Sequence, residues 1–165
     1  MKNEDIIKTL NYFQSNAFKT YKSLGFGADN ANIIFGIIIE MRNLVTAAEA
    51  EDTILLHKYM GECANYIANY AVVHSLKLSE VLTKKSHSEM AEATDLVDLE
   101  YYLEKIKDDL GFVKDMQENE KIEFIQKCWI CTFPEEYHDD FIKTDRILRA
   151  NIEDNKVKYP QAFTK

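Results

Sequence analysis

The first proline in the chain is Pro134, so nothing upstream of it removes a backbone donor or drives a ring into the preceding turn of a helix. Glycine is nearly as scarce. The sequence holds 5 Gly and 2 Pro, about 4% together against roughly 12% in average usage. Sandwiches, barrels and other turn-rich folds need these residues at their corners, so they are excluded. The apolar spacing then decides the architecture.

Residues 4–24 place Ile6, Ile7, Leu10, Phe13, Ala17, Phe18, Tyr21 and Leu24 close to a three-four spacing, which makes one apolar helical stripe. Gly25 and Gly27 read as its stop, and Asp29-Asn30 as the cap of a helix over 33–50. Because Ile33-Ile34-Phe35-Gly36-Ile37-Ile38-Ile39 is apolar almost all round, that helix is expected to be central. A third helix runs over 52–74 and a short one over 77–82, before a polar linker at 83–88. Helical spacing returns over 89–116, with Gly111 as a break or kink. Asn119 caps a helix over 121–132 that Pro134 ends, and a last helix covers 139–155 before an exposed tail through Tyr159-Pro160. The expected fold is an all-α bundle.

At 165 residues the chain is read as one all-α domain, 1–165, with 1–84 and 89–165 as the sub-units if it divides. No stretch approaches the roughly 18 apolar residues of a membrane span, and Met1-Lys2-Asn3-Glu4-Asp5 lacks the apolar core of a signal peptide. A cytoplasmic protein without a membrane partner is expected. The formal charge of −8 argues against duplex nucleic acid, which is bound by clustered cations. Cys63, Cys128 and Cys131 are an odd set in a chain without export signals, so no disulfide framework is expected.

Three segments, in order along nearly the whole chain, carry a family resemblance. Asn11-Tyr12-Phe13-Gln14-x-x-Ala17-x-x-Thr20 is similar to an opening Tyr-Gln-x-x-Ala-x-x-Thr helix. Met60-Gly61-Glu62-Cys63-Ala64-Asn65-Tyr66-Ile67-Ala68 is similar to Leu-Gly-Asp-Val-Leu-Trp-Tyr-Leu-Ala. The run from Ala150-Asn151-Ile152 to Lys158-Tyr159-Pro160-Gln161-Ala162-Phe163 is similar to a closing Asn-Ile-x-Lys-Leu-x-x-Arg-Tyr-Pro-x-x-Phe. Together they resemble the all-α nucleoside triphosphate pyrophosphohydrolases typified by MazG and the dimeric dUTPases. The resemblance implies a MazG-like helical bundle, either a tandem pseudo-dimer within one chain or a homodimer.

It also implies a chemistry. The family faces a Glu-x-x-Glu pair on one helix with a Glu-x-x-Asp pair on the next, because residues three apart share a helical face. Such carboxylates suit Mg²⁺, which takes oxygen ligands and keeps waters that bridge to phosphates. Water would then attack the α-phosphorus of a nucleotide and pyrophosphate would leave. Carried over residue by residue, the first pair falls on Glu40 and Asn43 and the second on Tyr59 and Glu62. Glu40 and Glu62 are therefore the implied catalytic residues and metal ligands. The family's tail Lys falls on Asp154 and its Arg on Lys158, and Asn151, Lys158 and Tyr159 are the implied nucleotide-binding residues.

A diverged second copy is the other alignment, with Asp95 and Asp98 as its first pair and Glu123-Phe124-Ile125-Gln126 as its second. Asp95, Asp98 and Glu123 would then join Glu40 and Glu62 around the metal. The plainer reading makes those three a solvated acidic face, and Glu40 a partner of Arg42 or of another helix. Two functions from different classes follow. One is a Mg²⁺-dependent pyrophosphohydrolase acting on a nucleotide or modified nucleotide. The other is an inactive relative that binds or sequesters a nucleotide-like small molecule or a protein partner, motivated by Asn43, Tyr59 and Asp154 standing where the family has Glu, Glu and Lys. Cys128-Trp129-Ile130-Cys131 reads as buried thiols rather than a redox or zinc motif, since no strand-helix context or ligand set accompanies it. Tyr101-Tyr102 and Phe133/Tyr137 are more often core than base-stacking pairs.

Overall fold

The apolar spacing is borne out as helix. In the computed structural model, residues 2–23, 30–86, 89–90 and 117–164 are described, and all their regular structure is helical. In chain order come α1 (Asn3–Ser23), α2 (Asn30–Glu49), α3 (Thr53–Val73), α4 (Leu78–Thr83), α5 (Glu118–Thr132), α6 (Glu135–Asp139) and α7 (Phe141–Lys158), then a 3₁₀ turn at Pro160–Ala162. Among the described residues no helix is long and apolar enough to cross a membrane.

The central position belongs to α3 rather than α2. Helices α1, α2, α5 and α7 all pack on α3, which buries Met60, Gly61, Cys63, Ala64, Ile67, Ala68, Tyr70 and Ala71. Gly61, Ala64, Ala68 and Ala71, spaced three and four apart, make one small-residue face of α3 on which a neighbour can approach closely. By contrast α2 buries Ile33, Ile34, Ile37, Ile38, Met41, Leu44 and Ala47 but leaves Phe35 and Ile39 50% and 56% exposed. Its apolar circumference is therefore only partly used for packing. One apolar cluster runs from Leu10 to Ile152 and includes Trp129 and Phe133, whose tilted rings have centroids 4.6 Å apart.

A chain poor in glycine must turn with other residues. Glu51 (φ 55°) and Ser75 (φ 58°) hold the left-handed conformation that ends α2 and α3. Asp52 then caps α3, its Oδ1 accepting from the Leu55 N–H at 3.1 Å, and Gln14 of α1 clamps the next turn by donating to Leu76 O and accepting from Leu78 N.

Several boundaries differ from expectation. Gln117 is the cap of α5, and Asn119 lies inside its first turn. After Pro134 the chain makes the extra turn α6 before α7. Helix α7 runs past Asn155 to Lys158, because its last turn is held against α3 by side-chain bonds described below. The tail is not simply exposed: Tyr159, Ala162 and Phe163 are half-buried where the 3₁₀ turn packs on α1. Most of the helix expected over 89–116, with Asp95, Asp98, Tyr101, Tyr102 and Gly111, lies outside the described residues, as do Gly25 and Gly27.

Phe133 and Tyr137 are core residues. All three cysteines are free thiols, Cys63 and Cys128 fully buried. Thr132 Oγ1 gives its proton to Cys128 O at 2.8 Å, so the Cys63 thiol is the donor in its 3.2 Å contact with Thr132. Burial pushes Cys63 and Cys131 up to about 12, which keeps both protonated and unreactive.

Gly61 permits the closest helix contact in this arrangement. A Cβ there would lie 2.9 Å from Asn151 Cβ. Overpacking of that kind costs about 1–3 kcal/mol, which outweighs the helix propensity of about 1 kcal/mol that Ala would add. Gly61→Ala is expected to lower the urea midpoint. Glu51→Gly, which relieves a left-handed residue, is expected to raise it by the equivalent of roughly 0.5–1 kcal/mol.

Candidate functional site

Asn65 and Tyr66 stand three and four residues after Glu62 and four and three before Asn69, so the four share one face of α3. Asn151, Asn155 and Lys158 do the same on α7. With α2 contributing Asn32, Phe35, Gly36, Ile39 and Glu40, these faces enclose a cavity of about 470 Å³ that Thr20, Tyr21 and Tyr159 complete.

The asparagines are wired together. Asn69 Nδ2 donates to Asn65 O and Asn65 Oδ1, both at 3.0 Å. Asn65 Nδ2 and Asn155 Nδ2 both donate to Asn151 Oδ1 at 3.2 Å. This ladder ties α3 to α7 and orients Asn65, Asn69, Asn151 and Asn155. Two glycines make room for it. Gly61 admits Asn151, and Gly36 admits the Tyr66 ring, whose atoms would lie 2.3–2.6 Å from a Cβ at that position.

Two carboxyls enter the same space from adjacent helices. Burial and then the neighbouring Glu62 carboxyl raise Glu40 from 4.5 to about 7, while Asn43 and Lys158 pull it down. Lys158 Nζ stands 3.4 Å from Glu62 Oε1, so the proton belongs on Glu40. Glu40 is hydrogen-bonded to Glu62 and Asn43, while Asn69 Oδ1 is buried without a hydrogen-bond partner. Burial first, then Glu40, Tyr159 and Glu62, raise Tyr66, which keeps its hydroxyl a donor.

Of the residues singled out in the sequence, Glu40, Glu62, Asn151, Lys158 and Tyr159 line this one cavity. Glu123 does not join them. Its neighbours Phe124 and Ile125 face the core, which turns Glu123 outward on α5. Asp95 and Asp98 lie outside the described residues. Tyr59 packs against the core, and Asp154 faces a separate hollow with Lys58, Lys143 and Arg146. Asn65, Asn69, Asn155 and Tyr66 escaped sequence reasoning. Their signal was the pairing of asparagines four apart, Asn65/Asn69 and Asn151/Asn155, in helix interiors where Asn is unfavourable unless it bonds something.

As a Mg²⁺ site the donor set is minimal. Two carboxylates can hold Mg²⁺ when waters and phosphates supply the rest, but among the described residues no group of three or more acids, histidines or cysteines converges. Lys158 already neutralises Glu62, and Glu40 holds a proton near neutral pH. These groups are not a pre-formed metal cage. Comparison of the chain with family models, with curated proteins and with solved structures finds no match.

The raised carboxyl has a consequence for stability. Unfolded, Glu40 titrates near its ordinary 4.5; folded, it titrates at about 7. Between those values the folded chain holds the extra proton, so its contribution is complete below the lower value and is lost as pH rises through the upper one. Chemical denaturation from pH 5 to pH 8 is expected to show the parent losing on the order of 2 kcal/mol relative to Glu40→Gln. Parallel pH profiles for the two proteins would disprove it.

Proposed function

We propose that the chain is a MazG-like helical protein that uses this cavity to bind a nucleotide-like small molecule. The observation that carries the reading is that Glu40, Glu62, Asn151, Lys158 and Tyr159, the residues implied by the resemblance, line one cavity together. The volume of about 470 Å³ falls within the range of small-molecule sites. Phe35, Tyr66 and Tyr159 provide aromatic surface around the polar groups.

Hydrolysis is the second reading, and one observation favours it: Glu40 and Glu62 meet from adjacent helices, where the family resemblance puts its acidic pairs. Mg²⁺ carried in with a nucleotide would neutralise phosphate charge there. Asn43 would orient Glu40, and Lys158 would exchange Glu62 for phosphate. Binding is favoured over hydrolysis because Asn43 and Tyr59 leave the acidic set half complete.

Thermal unfolding with a panel of nucleosides and nucleotides, run beside a pyrophosphate-release assay, tests both. At about a hundredfold excess over Kd a ligand stabilises by about 2.7 kcal/mol, which raises Tm by roughly 5–10 °C in a chain of this size. Such a shift is expected without Mg²⁺ and without turnover, and it should be lost in Glu40→Gln and Asn69→Ala. Mg²⁺-dependent pyrophosphate release that disappears in Glu40→Ala and Glu62→Ala would establish the hydrolase instead.

A further inference from the structure

A second recess lies on the same two helices. Lys58 of α3 and Lys143, Arg146 and Asp154 of α7 line a hollow of about 640 Å³, and Asn151 is the one residue it shares with the cavity described above. None of its three cations is among the catalytic or nucleotide-binding residues that the resemblance implies. His57, held by a 3.0 Å contact of its Nε2 with the Tyr137 hydroxyl, adds a fixed polar group to the wall.

The charge of this hollow runs against that of the chain. The sequence has 28 acids and 20 Lys and Arg, and Lys77, Arg149, Lys156 and Lys158 each meet an acid. Around the hollow three cations face one carboxylate, Asp154, and among the described residues Lys58, Lys143 and Arg146 form no ion pair. The helix dipoles add to the imbalance. Lys143 is in the first turn of α7, and Arg146 and Lys58 are in the second turns of α7 and α3, near the positive ends where acids are the stabilising choice. Beyond the caps Asp52 and Asp140, neither helix has an acid in its first turn. Positive charge is thus gathered where the local rule opposes it, and an anion held among these side chains compensates.

We propose that this hollow binds a phosphate chain, of the kind found in inorganic pyrophosphate and triphosphate and in nucleoside di- and triphosphates. The Arg146 guanidinium offers a planar fork that matches two phosphate oxygens, and Lys58 and Lys143 supply point charges for the others. The volume is that of a small-molecule site, which favours a compact polyanion over an extended acidic protein segment. Asp154 presents like charge to such a ligand and limits its affinity. The site is additional to the cavity and does not depend on what the cavity holds.

Isothermal titration of the full-length protein in metal-free buffer tests it, with inorganic phosphate, pyrophosphate, triphosphate and ATP as ligands. Triphosphate is expected to bind about tenfold or more tightly than phosphate, and to weaken as salt is raised. The double variant Lys143→Gln/Arg146→Gln should lose about tenfold or more of that affinity, whereas Asp154→Asn should gain about threefold. All three side chains are exposed, so both variants should keep the parent's urea midpoint. ATP binding no tighter than inorganic triphosphate identifies the chain of phosphates as the ligand, and a gain for ATP that the double variant abolishes identifies a nucleotide as its carrier. Triphosphate that fails to bind, or that binds the double variant as it binds the parent, overturns the proposal. A loss confined to Lys158→Gln places the anion in the first cavity and also overturns it. An oligo-aspartate peptide that binds as tightly as triphosphate overturns the assignment to phosphate.

Discussion

The contact between Gly61 on α3 and Asn151 on α7 sets the rest of the structure. A side chain at Gly61 would collide with Asn151 Cβ, so its absence lets the two helices come close enough for their asparagines to reach one another. From that approach follow the Asn65–Asn151–Asn155 bonds, the extension of α7 to Lys158, and the contact of Lys158 with Glu62. The cavity is bounded by the same two helix faces. Close packing at one point is what makes a polar network possible a turn or two away.

Polar groups inside a helical bundle are costly unless satisfied, and this bundle satisfies them unevenly. The amide ladder is closed between α3 and α7, while Asn69 Oδ1 stays buried without a partner. Gly36 contributes to the cavity, since the Tyr66 ring lies against α2 at that point and stands in the cavity wall. Phe35 and Ile39, which an apolar helix would be expected to bury, remain half-exposed at the rim. The apolar surplus of α2 and the polar surplus of α3 thus border the same space.

Much of the fold was legible in the residues. The stripe of α1 appears at the expected spacing, helices stand where 52–74 and 139–155 are expected to hold them, and Asp52 caps α3 as a short acidic residue before an apolar run should. What misled was local. Asn119 has the chemistry of a cap but lies one turn-position inside α5, and the one-turn α6 is too short to have a period. Continuous apolarity suggested that α2 was central, yet α3 takes that place and packs against α1, α2, α5 and α7. In the site, charged residues drew notice because their chemistry is conspicuous. Asn65, Asn69 and Asn155 did not, since a lone asparagine in a sequence is usually a surface residue.

The sequence by itself determined the class of the fold and the faces of its helices, because the scarcity of Gly and Pro leaves only helix and the three-four spacing assigns each residue a side. Which faces meet was decided by tertiary structure alone. Glu40 and Glu123 are both acids beside apolar neighbours on helices, yet one is drawn into a cavity and raised to about 7 while the other lies in solvent. Burial and the approach of a second carboxyl make that difference, and both depend on the separation of helices that spacing along a chain does not encode.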